Sequence, residues 1–558
     1  MRMAEREVTP GTRARANIRE RARRATRSAR ARAHIRDRTK ANTRDVRASA
    51  SDWEIALARA IGKVVADVAR AAEGANAGDS SARARDLPGP SEDCAFELAI
   101  DAIGFLERVR MRYGDCVSVR VANALVVVAS GADVARIVLG ARAEERFEKR
   151  GTAFFPGSSL TGEGLLTSDG DVWRRQRRLS APAFRSAAVE TYASVMADSA
   201  RAMIDERWSA RGERDVYEDF NDVTLEIVAR ALFGADFEGK RKDKINRAIK
   251  ECFEFFGRRA ATGMIVPEWV PTFDNVMFNA AVKRLDEEVF GIIAERRKRA
   301  ARGEENERMD LLDRLLRAKD EGENESVGDG FGMTDKALRD ELMTLMVAGQ
   351  ETSAILLSWA CALVAEHPSA GDRIAEEARA ALKTKTSPRA MLDASDFSKL
   401  PYTEACVLET LRIRPPAYMV GRCASKDVEL RPGVLVKKGT TVLVAPYLIQ
   451  RDPKYWNDPV AFKPERWLVP SPFSDGSLAR DALKNLGPND AYFPFGGGAR
   501  VCIGTGFAML ESVLLLAMVC QACELRLPAN ASPPKPKALI TLRPEPFKLE
   551  IRPRPRKV

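Results

Sequence analysis

One short segment near the C-terminal end of the chain constrains its fold more than any other feature. Residues 495–504 read FGGGARVCIG, so glycines surround a lone cysteine, and an apolar helical pattern begins directly after it. A helix N-terminus carries partial positive charge and Arg500 carries a full one, and both favour the thiolate form of Cys502. A structural cysteine in a Gly-rich turn is the simpler alternative.

Such a setting suits one particular cofactor. The glycines, Gly496 among them, let backbone N–H groups approach the sulfur and leave room for a flat ligand. A thiolate placed in this way can be the single axial ligand of a haem iron, where its electron donation assists dioxygen chemistry. Arg500 is then placed to pair with a haem propionate. The segment therefore predicts a haem site built on Cys502.

A second feature lies inside a long helical pattern over residues 334–366. Residues 348–353 read AGQETS. A glycine in the middle of a helix costs about 1 kcal/mol relative to alanine, so Gly349 requires a reason. Thr352 can donate its hydroxyl to the carbonyl of Ala348, four residues back, and open the helix locally. A kinked, buried helix with no chemical role is the other interpretation.

Together these segments resemble the cytochrome P450 family of haem-thiolate monooxygenases. The resemblance covers roughly residues 88–558, with four motifs in the expected order. It implies haem b as the cofactor, with Cys502 as its thiolate ligand and Phe495 and Gly496 in the loop that holds it. It also implies that Glu351 and Thr352 organise water for proton delivery in an oxygen-binding groove, next to Gly349.

The same resemblance assigns two further groups of residues. Trp173 and Arg177 lie at i, i+4 on a basic helix, so their side chains point the same way, and the resemblance assigns them to a haem propionate. A solvated basic face is the alternative. Arg422 is a weaker propionate candidate, because only its position after Pro415-Pro416 indicates this role.

An acid and two arginines complete the resemblance. Glu409 and Arg412 lie at i, i+3 on one helix face, and Arg466 follows in the segment FKPERW, residues 462–467. A surface ion pair would be weak. The resemblance instead implies that the three form a buried structural triad beneath the haem core. The chain departs from many relatives at Gln450, where they carry histidine.

Charge and composition exclude several other classes of protein. The formal net charge is +11, and the first fifty residues hold sixteen Lys/Arg against five Asp/Glu, so the remainder is neutral at 74 against 74. A nucleic-acid-binding body is therefore not expected. With only two histidines, multi-histidine metal sites and His-dependent triads are not expected. The nine scattered cysteines favour a reducing compartment over a disulfide scaffold.

The domain organisation follows from composition and periodicity. Residues 1–50 are Arg-rich and acid-poor, which is typical of a transit peptide; a disordered basic tail and a nucleic-acid arm are the alternatives. Residues 51–87 predict an amphipathic helix and a linker. Residues 88–558 predict one large haem domain, mainly α with minor β, and residues 302–330 predict a loop. The leader favours a plastid, with a mitochondrion or the cytoplasm and a peripheral membrane location as alternatives.

The predicted activity is insertion of one oxygen atom of O2 into an apolar small molecule. No flavin or iron–sulfur domain fits in the remaining residues, so we expect a separate electron donor, ferredoxin or a flavin reductase. The apolar segment Phe253–Val270 predicts either peripheral membrane contact or core packing. The chain is somewhat similar to the plastid carotenoid-ring hydroxylase branch of the family, while fatty acids, sterols and other terpenoids stay open. The alternative enzyme is a hydroperoxide isomerase or dehydratase that needs no reductant. The non-catalytic alternative is a haem sensor.

Overall fold

The structure, a computed structural model, describes residues 87–121, 124–149, 159–234, 239–262, 268–304, 310–317, 333–383, 385, 391–468, 483 and 490–555. These residues belong to the second of two compact units, Ala77–Val558. The predicted leader and nearly all of the predicted amphipathic helix and linker lie outside the described residues.

Helices make up most of the described chain. In order they are α1 (Ala95–Ile100), α2 (Ala102–Tyr113), α3 (Ala132–Leu139), α4 (Gly170–Ser180), α5 (Ser186–Thr191), α6 (Ala193–Arg207), α7 (Val216–Phe233), α8 (Gly239–Thr262), α9 (Phe273–Ala301), α10 (Leu311–Arg317), α11 (Asp335–Glu366), α12 (Pro368–Lys383), α13 (Pro401–Ile413), α14 (Pro446–Ile449) and α15 (Thr505–Ala522). The predicted mainly α fold with minor β is confirmed. The predicted loop over 302–330 is wrong in part, because α10 interrupts it with an apolar face whose leucines are fully buried.

The strands are short and form four small sheets among the described residues. They are β1 (Cys116–Val121), β2 (Ala124–Ala129), β3 (Phe147–Glu148), β4 (Gly212–Arg214), β5 (Val420–Ala424), β6 (Val428–Arg431), β7 (Val434–Val436), β8 (Thr441–Val444), β9 (Cys523–Arg526), β10 (Pro536–Ala538), β11 (Leu542–Pro544) and β12 (Leu549–Pro553). The largest sheet has the order β1-β2-β8-β5-β3, and its β2–β8 pair is parallel. This sheet brings β3 and β5, far apart in sequence, side by side.

Two helices form the centre of the core. By length and composition α11 and α15 could each cross a membrane, but 83% and 72% of their most apolar stretches are buried within the fold. A helix that is apolar on all sides is expected in the interior of a large domain. Here α11 packs against α7 and α15, so the two segments with the predicted chemistry belong to one packed unit.

Candidate active site around Cys502

The long helix α11 is buried from Leu338 to Ala365 except at three residues. Ala348, Gly349 and Thr352 are partly exposed; Gly349 and Thr352 belong to the predicted groove, whereas Glu351, predicted with them, is buried. The hydroxyl of Thr352 donates a 2.7 Å hydrogen bond to the carbonyl oxygen of Ala348, as the sequence predicts. A Cβ at Gly349 would lie 3.0 Å from Cγ2 of Val228. The glycine thus lets α7 pack closely against α11 beside the opening.

Cys502 is the exposed member of a set of nine free cysteines, the other eight being buried. Its N–H donates to the carbonyl of Phe495 at 2.9 Å, and its own carbonyl accepts from the hydroxyl of Thr505, the first residue of α15. The protein atoms packed around the sulfur desolvate it and so raise the pKa of the thiol, although the residue keeps exposed surface, while the N–H of Gly504 and the charge of Arg177 lower it. The helix start thus acts in the expected direction and the nearby arginine is Arg177, but desolvation outweighs both and the net pKa of the thiol is raised rather than lowered.

The loop before Cys502 requires glycine at two positions. Gly496 and Gly498 have φ of +75° and +61°, a region that residues with a Cβ enter only at a cost. A Cβ at Gly498 would also lie 2.2 Å from the carbonyl oxygen of Gly140, at the end of α3. The loop thus approaches α3 more closely than any larger residue permits.

Arg500 has other partners than the thiol. Its guanidinium donates to the carbonyl of Ser168 at 2.8 Å and pairs with the carboxylate of Asp169. It also stacks 4.1 Å from the ring centre of Trp173. Trp173 and Arg177, both on α4, thus reach the same site, one against Arg500 and the other towards Cys502. Their predicted i, i+4 spacing places both side chains on one face of α4, and that face is turned towards the cysteine loop.

A small pocket beside the cysteine loop is lined by three cationic side chains, which form its cationic wall. They are Arg422 and Arg500, which the sequence predicts, and Lys149, which it does not; Glu144 and Glu148 also line the pocket. Burial, Arg422 and Arg500 lower the pKa of Lys149 to about 7, and burial and Arg500 lower that of Arg422 to about 10. These shifts mean that positive charge is costly here. An anionic group would relieve the cost, so the wall fits the two propionates of a haem.

Lys149 could not be recognised from its local sequence. It follows the two-residue strand β3, which pairs with β5, the strand that carries Arg422. Its ammonium group donates to the carbonyl of Leu166 at 2.8 Å, and its backbone N–H donates to Asp169. Only the sheet register places Lys149 beside Arg422 and Arg500, which are more than 270 positions away in sequence.

Glu351 lies next to Thr352 in sequence but makes separate contacts. Tyr217 donates to its carboxylate at 2.9 Å, Arg543 at 2.5 Å and Thr541 at 3.2 Å. The acid is 3% exposed. The structure therefore places Glu351 in an ion pair with the C-terminal strand β11, rather than in the opening where Thr352 lies.

The three residues of the predicted structural triad come together beneath the loop. Arg412 donates two hydrogen bonds of 2.9 and 2.8 Å to Glu409, and Arg466 donates a third at 3.0 Å. The indole N–H of Trp467 donates to the same carboxylate. Glu409 and Arg412 have no exposed surface. Glu409 and Arg412 thus form a fully buried pair, and the partly exposed Arg466 completes the triad.

A mainly helical domain that presents one exposed thiol next to a helix start, beside a cationic wall, and whose central helix is partly exposed around Thr352 has features that a haem-thiolate site requires. The model of the family described as Cytochrome P450 matches residues 101–551. The chain belongs to the cytochrome P450 family, and it is a monooxygenase with haem b as its cofactor.

Individual relatives agree with this assignment. Cyclooctatin synthase from Streptomyces melanosporofaciens is 32% identical, over 71% of this chain and 80% of its own. Cyclooctat-9-en-7-ol 5-monooxygenase from the same organism is 30% identical, over 74% and 83%. The chloroplastic protein LUTEIN DEFICIENT 5 of Arabidopsis thaliana is 27% identical, over 67% and 62%. The crystal structure of the cytochrome P450DA heme domain aligns with a TM-score of 0.71 at 25% identity, over 84% of this chain and 98% of that one.

Proposed function

We propose that this monooxygenase oxidises an apolar terpenoid, with Cys502 as the thiolate ligand of its haem. The observation that carries the ligand assignment is the exposure of Cys502 at the start of α15, beside a cationic wall, while the other eight cysteines are buried. Lys149, Arg422 and Arg500 would hold the propionates, with Trp173 and Arg177 supporting them. Terpenoid oxygenases among the relatives support the substrate class.

The chain's own residues would supply the proton chemistry. When bound, the haem provides dioxygen activation with electrons from a partner protein. Because the Thr352 proton is held by the carbonyl of Ala348, the hydroxyl oxygen is left to accept a hydrogen bond from water in the groove. Glu351 would relay a proton only after its carboxylate leaves Arg543 and takes up a proton from water. Thr352 would therefore hydrogen-bond the groove water directly, whereas Glu351 would take part only after it separates from Arg543.

We further propose ferredoxin as the electron donor and a plastid as the location. The acid-poor leader and the similarity to a chloroplastic relative support the location. The exposed arginines Arg174 and Arg178 on α4 offer a basic face for an acidic carrier. Expression of the full chain with a fluorescent tag tests the location. Cytosolic fluorescence would contradict it.

Peripheral membrane contact is supported by a group of exposed apolar side chains before and in α9. Trp269 is 82% exposed and Phe273 is 77% exposed, with Val276 and Met277 beside them. In contrast, Phe255 packs face to face with Phe278 in the core. The apolar segment predicted over Phe253–Val270 therefore has a core-packing part and an exposed part. Vesicle flotation of the full chain, and of a Trp269→Ala/Phe273→Ala variant, tests whether the exposed part binds lipid.

Turnover under labelled oxygen tests the activity. The full chain, reduced ferredoxin and a panel of terpenoid hydrocarbons and alcohols would be incubated under ¹⁸O2. We expect a product with one labelled oxygen atom, and less product when a flavin reductase replaces ferredoxin. Turnover with the flavin reductase but none with reduced ferredoxin would contradict the ferredoxin proposal. Consumption of a fatty-acid hydroperoxide without any reductant would instead favour the isomerase alternative.

A further inference from the structure

Gln450, at the end of α14, connects two parts of the site that are distant in sequence. Its side chain is completely buried. The amide nitrogen donates to the carbonyls of Leu411 and Arg412, at 3.0 and 3.2 Å, in the last turn of α13. The amide oxygen accepts the backbone N–H of Phe493 at 3.0 Å. One side chain thus uses both its donor and its acceptor to join α13 to the segment that leads into the cysteine loop.

The backbone carries this connection onward to the thiol. The carbonyl of Phe493 accepts the N–H of Gly496 at 2.9 Å and so closes the turn in which Gly496 adopts its positive φ. The carbonyl of Phe495 then accepts the N–H of Cys502 at 2.9 Å. Each of these bonds fixes the next, from the amide of Gln450 to the residue that presents the sulfur.

The other end of Gln450 is fixed by the buried triad. Arg412 donates to the backbone carbonyl of Gln450 at 2.8 Å and to the carboxylate of Glu409 at the same time. The position of Gln450 is therefore set by a charged group with no exposed surface. Buried amide bonds of this kind are costly to break, because the freed N–H and carbonyl groups find no water.

We propose that Gln450 is a positioning residue for Cys502: it transmits the fixed geometry of the Glu409–Arg412 pair to the loop that presents the thiolate. This inference rests on the proposed function, because it takes Cys502 to be the haem ligand. It goes beyond it by assigning a role to a side chain outside the site. A neutral histidine also has one donor and one acceptor, so it can span the same gap.

Two variants and a control test the role in the full-length holoenzyme. Gln450→Leu keeps the approximate volume but removes both hydrogen-bonding groups, and Gln450→His keeps one of each. Thr410→Val removes a different buried hydrogen bond on α13, from the Thr410 hydroxyl to the carbonyl of Cys406, which does not lead to the loop. Each protein is reduced under carbon monoxide, and the thiolate-type band is compared with the shorter-wavelength thiol-type band. Amide hydrogen exchange at Phe493 is measured in parallel.

We expect Gln450→Leu to shift the reduced protein towards the thiol-type band and to speed exchange of the Phe493 amide about tenfold, as the loss of one buried hydrogen bond implies. Gln450→His should restore most of the thiolate band, and Thr410→Val should leave the band ratio unchanged. If Gln450→Leu does not accumulate as folded protein, Gln450→Asn, shorter by one methylene, should show the same shift.

Two outcomes would overturn the inference, and they can be told apart. In the first outcome the wild-type protein shows the thiolate band, and Gln450→Leu has the same band ratio and the same exchange rate at Phe493. This would refute the role of Gln450 and leave the proposed function intact. A wild-type protein with no thiolate band would refute the proposed function, and the inference would fail with it.

Discussion

Arg543 donates a 2.5 Å hydrogen bond to the carboxylate of Glu351, joining strand β11 to the central helix across 192 residues of sequence. Thr541, one residue before β11, donates to the same carboxylate. Tyr217, at the start of α7, donates as well. The C-terminal hairpin is therefore bonded to α11 at Glu351, the residue that directly precedes Thr352. The acid beside the groove threonine has a structural task as well as any chemical one.

Removal of Arg543 should destabilise the protein. Arg543→Leu leaves the carboxylate of Glu351 buried without its cation, which costs about 3 kcal/mol. The double variant Arg543→Leu/Glu351→Leu should recover much of that loss, because no charge is then left unpaired. Urea unfolding of the single and double variants measures the difference. Additive losses in the double variant would show that the ion pair does not couple the two residues.

Lys149 should contribute a rise in the stability of the haem-free protein as the pH goes from about 7 towards 10. Burial, with Arg422 and Arg500 nearby, lowers the pKa of Lys149 to about 7, so in this range the folded chain releases a proton that the unfolded chain keeps. Stability then rises by at most about 1.4 kcal/mol per pH unit. Lys149→Met should remove this part of the slope, whereas Lys336→Met, at a side chain 73% exposed, should not. Equal slopes in all three proteins, measured by urea unfolding, would count against the buried lysine.

Two glycines in the cysteine loop should respond differently to alanine. Both have positive φ, so each substitution adds strain of about 1–2 kcal/mol. A Cβ at Gly498 would also meet the carbonyl of Gly140 at 2.2 Å, whereas at Gly496 the nearest atom lies 4.0 Å away. Gly498→Ala should therefore lose most of its bound haem, while Gly496→Ala keeps a larger share. The ratio of haem to purified protein measures this, and the reverse order would contradict the close approach of the loop to α3.

The buried triad should not tolerate the loss of its acid. Glu409→Ala leaves Arg412 charged and fully buried, and we expect a loss of about 3–5 kcal/mol in the free energy of unfolding. Arg466→Leu should cost less, because its side chain is 16% exposed and water can replace part of the interaction. Guanidinium unfolding of both variants is the measurement. Equal losses would show that burial of Glu409 and Arg412 is not what makes the triad strong.

The sequence predicted those parts of the molecule in which a local pattern carries the information. The valine-rich runs 116–121 and 124–129 form strands β1 and β2, as β-branched residues favour. The hydrogen bond from Thr352 to Ala348 follows from helical spacing alone. The same holds for the shared face of Trp173 and Arg177.

Partners set by the tertiary fold could not be predicted in this way. Arg500 lies two residues from Cys502, yet its charge is paired with Asp169 and stacked on Trp173. The pairing of β3 with β5 places Lys149 in the site, and no local sequence pattern predicts that pairing. Glu351 finds Arg543 only because the C-terminal hairpin folds back onto α11. In each case a distant element, fixed by sheet register or helix packing, supplies the partner.

The ligand assignment has one direct test, the carbon monoxide difference spectrum of the reduced full-length protein. Cys502→Ser is the test variant, and Cys94→Ser, at a buried cysteine with no place in the site, is the control. We expect a strongly red-shifted thiolate-type band in the wild type and in Cys94→Ser, and its complete loss in Cys502→Ser. A folded wild-type protein that binds no haem, or a Cys502→Ser variant that keeps the band, would contradict the account.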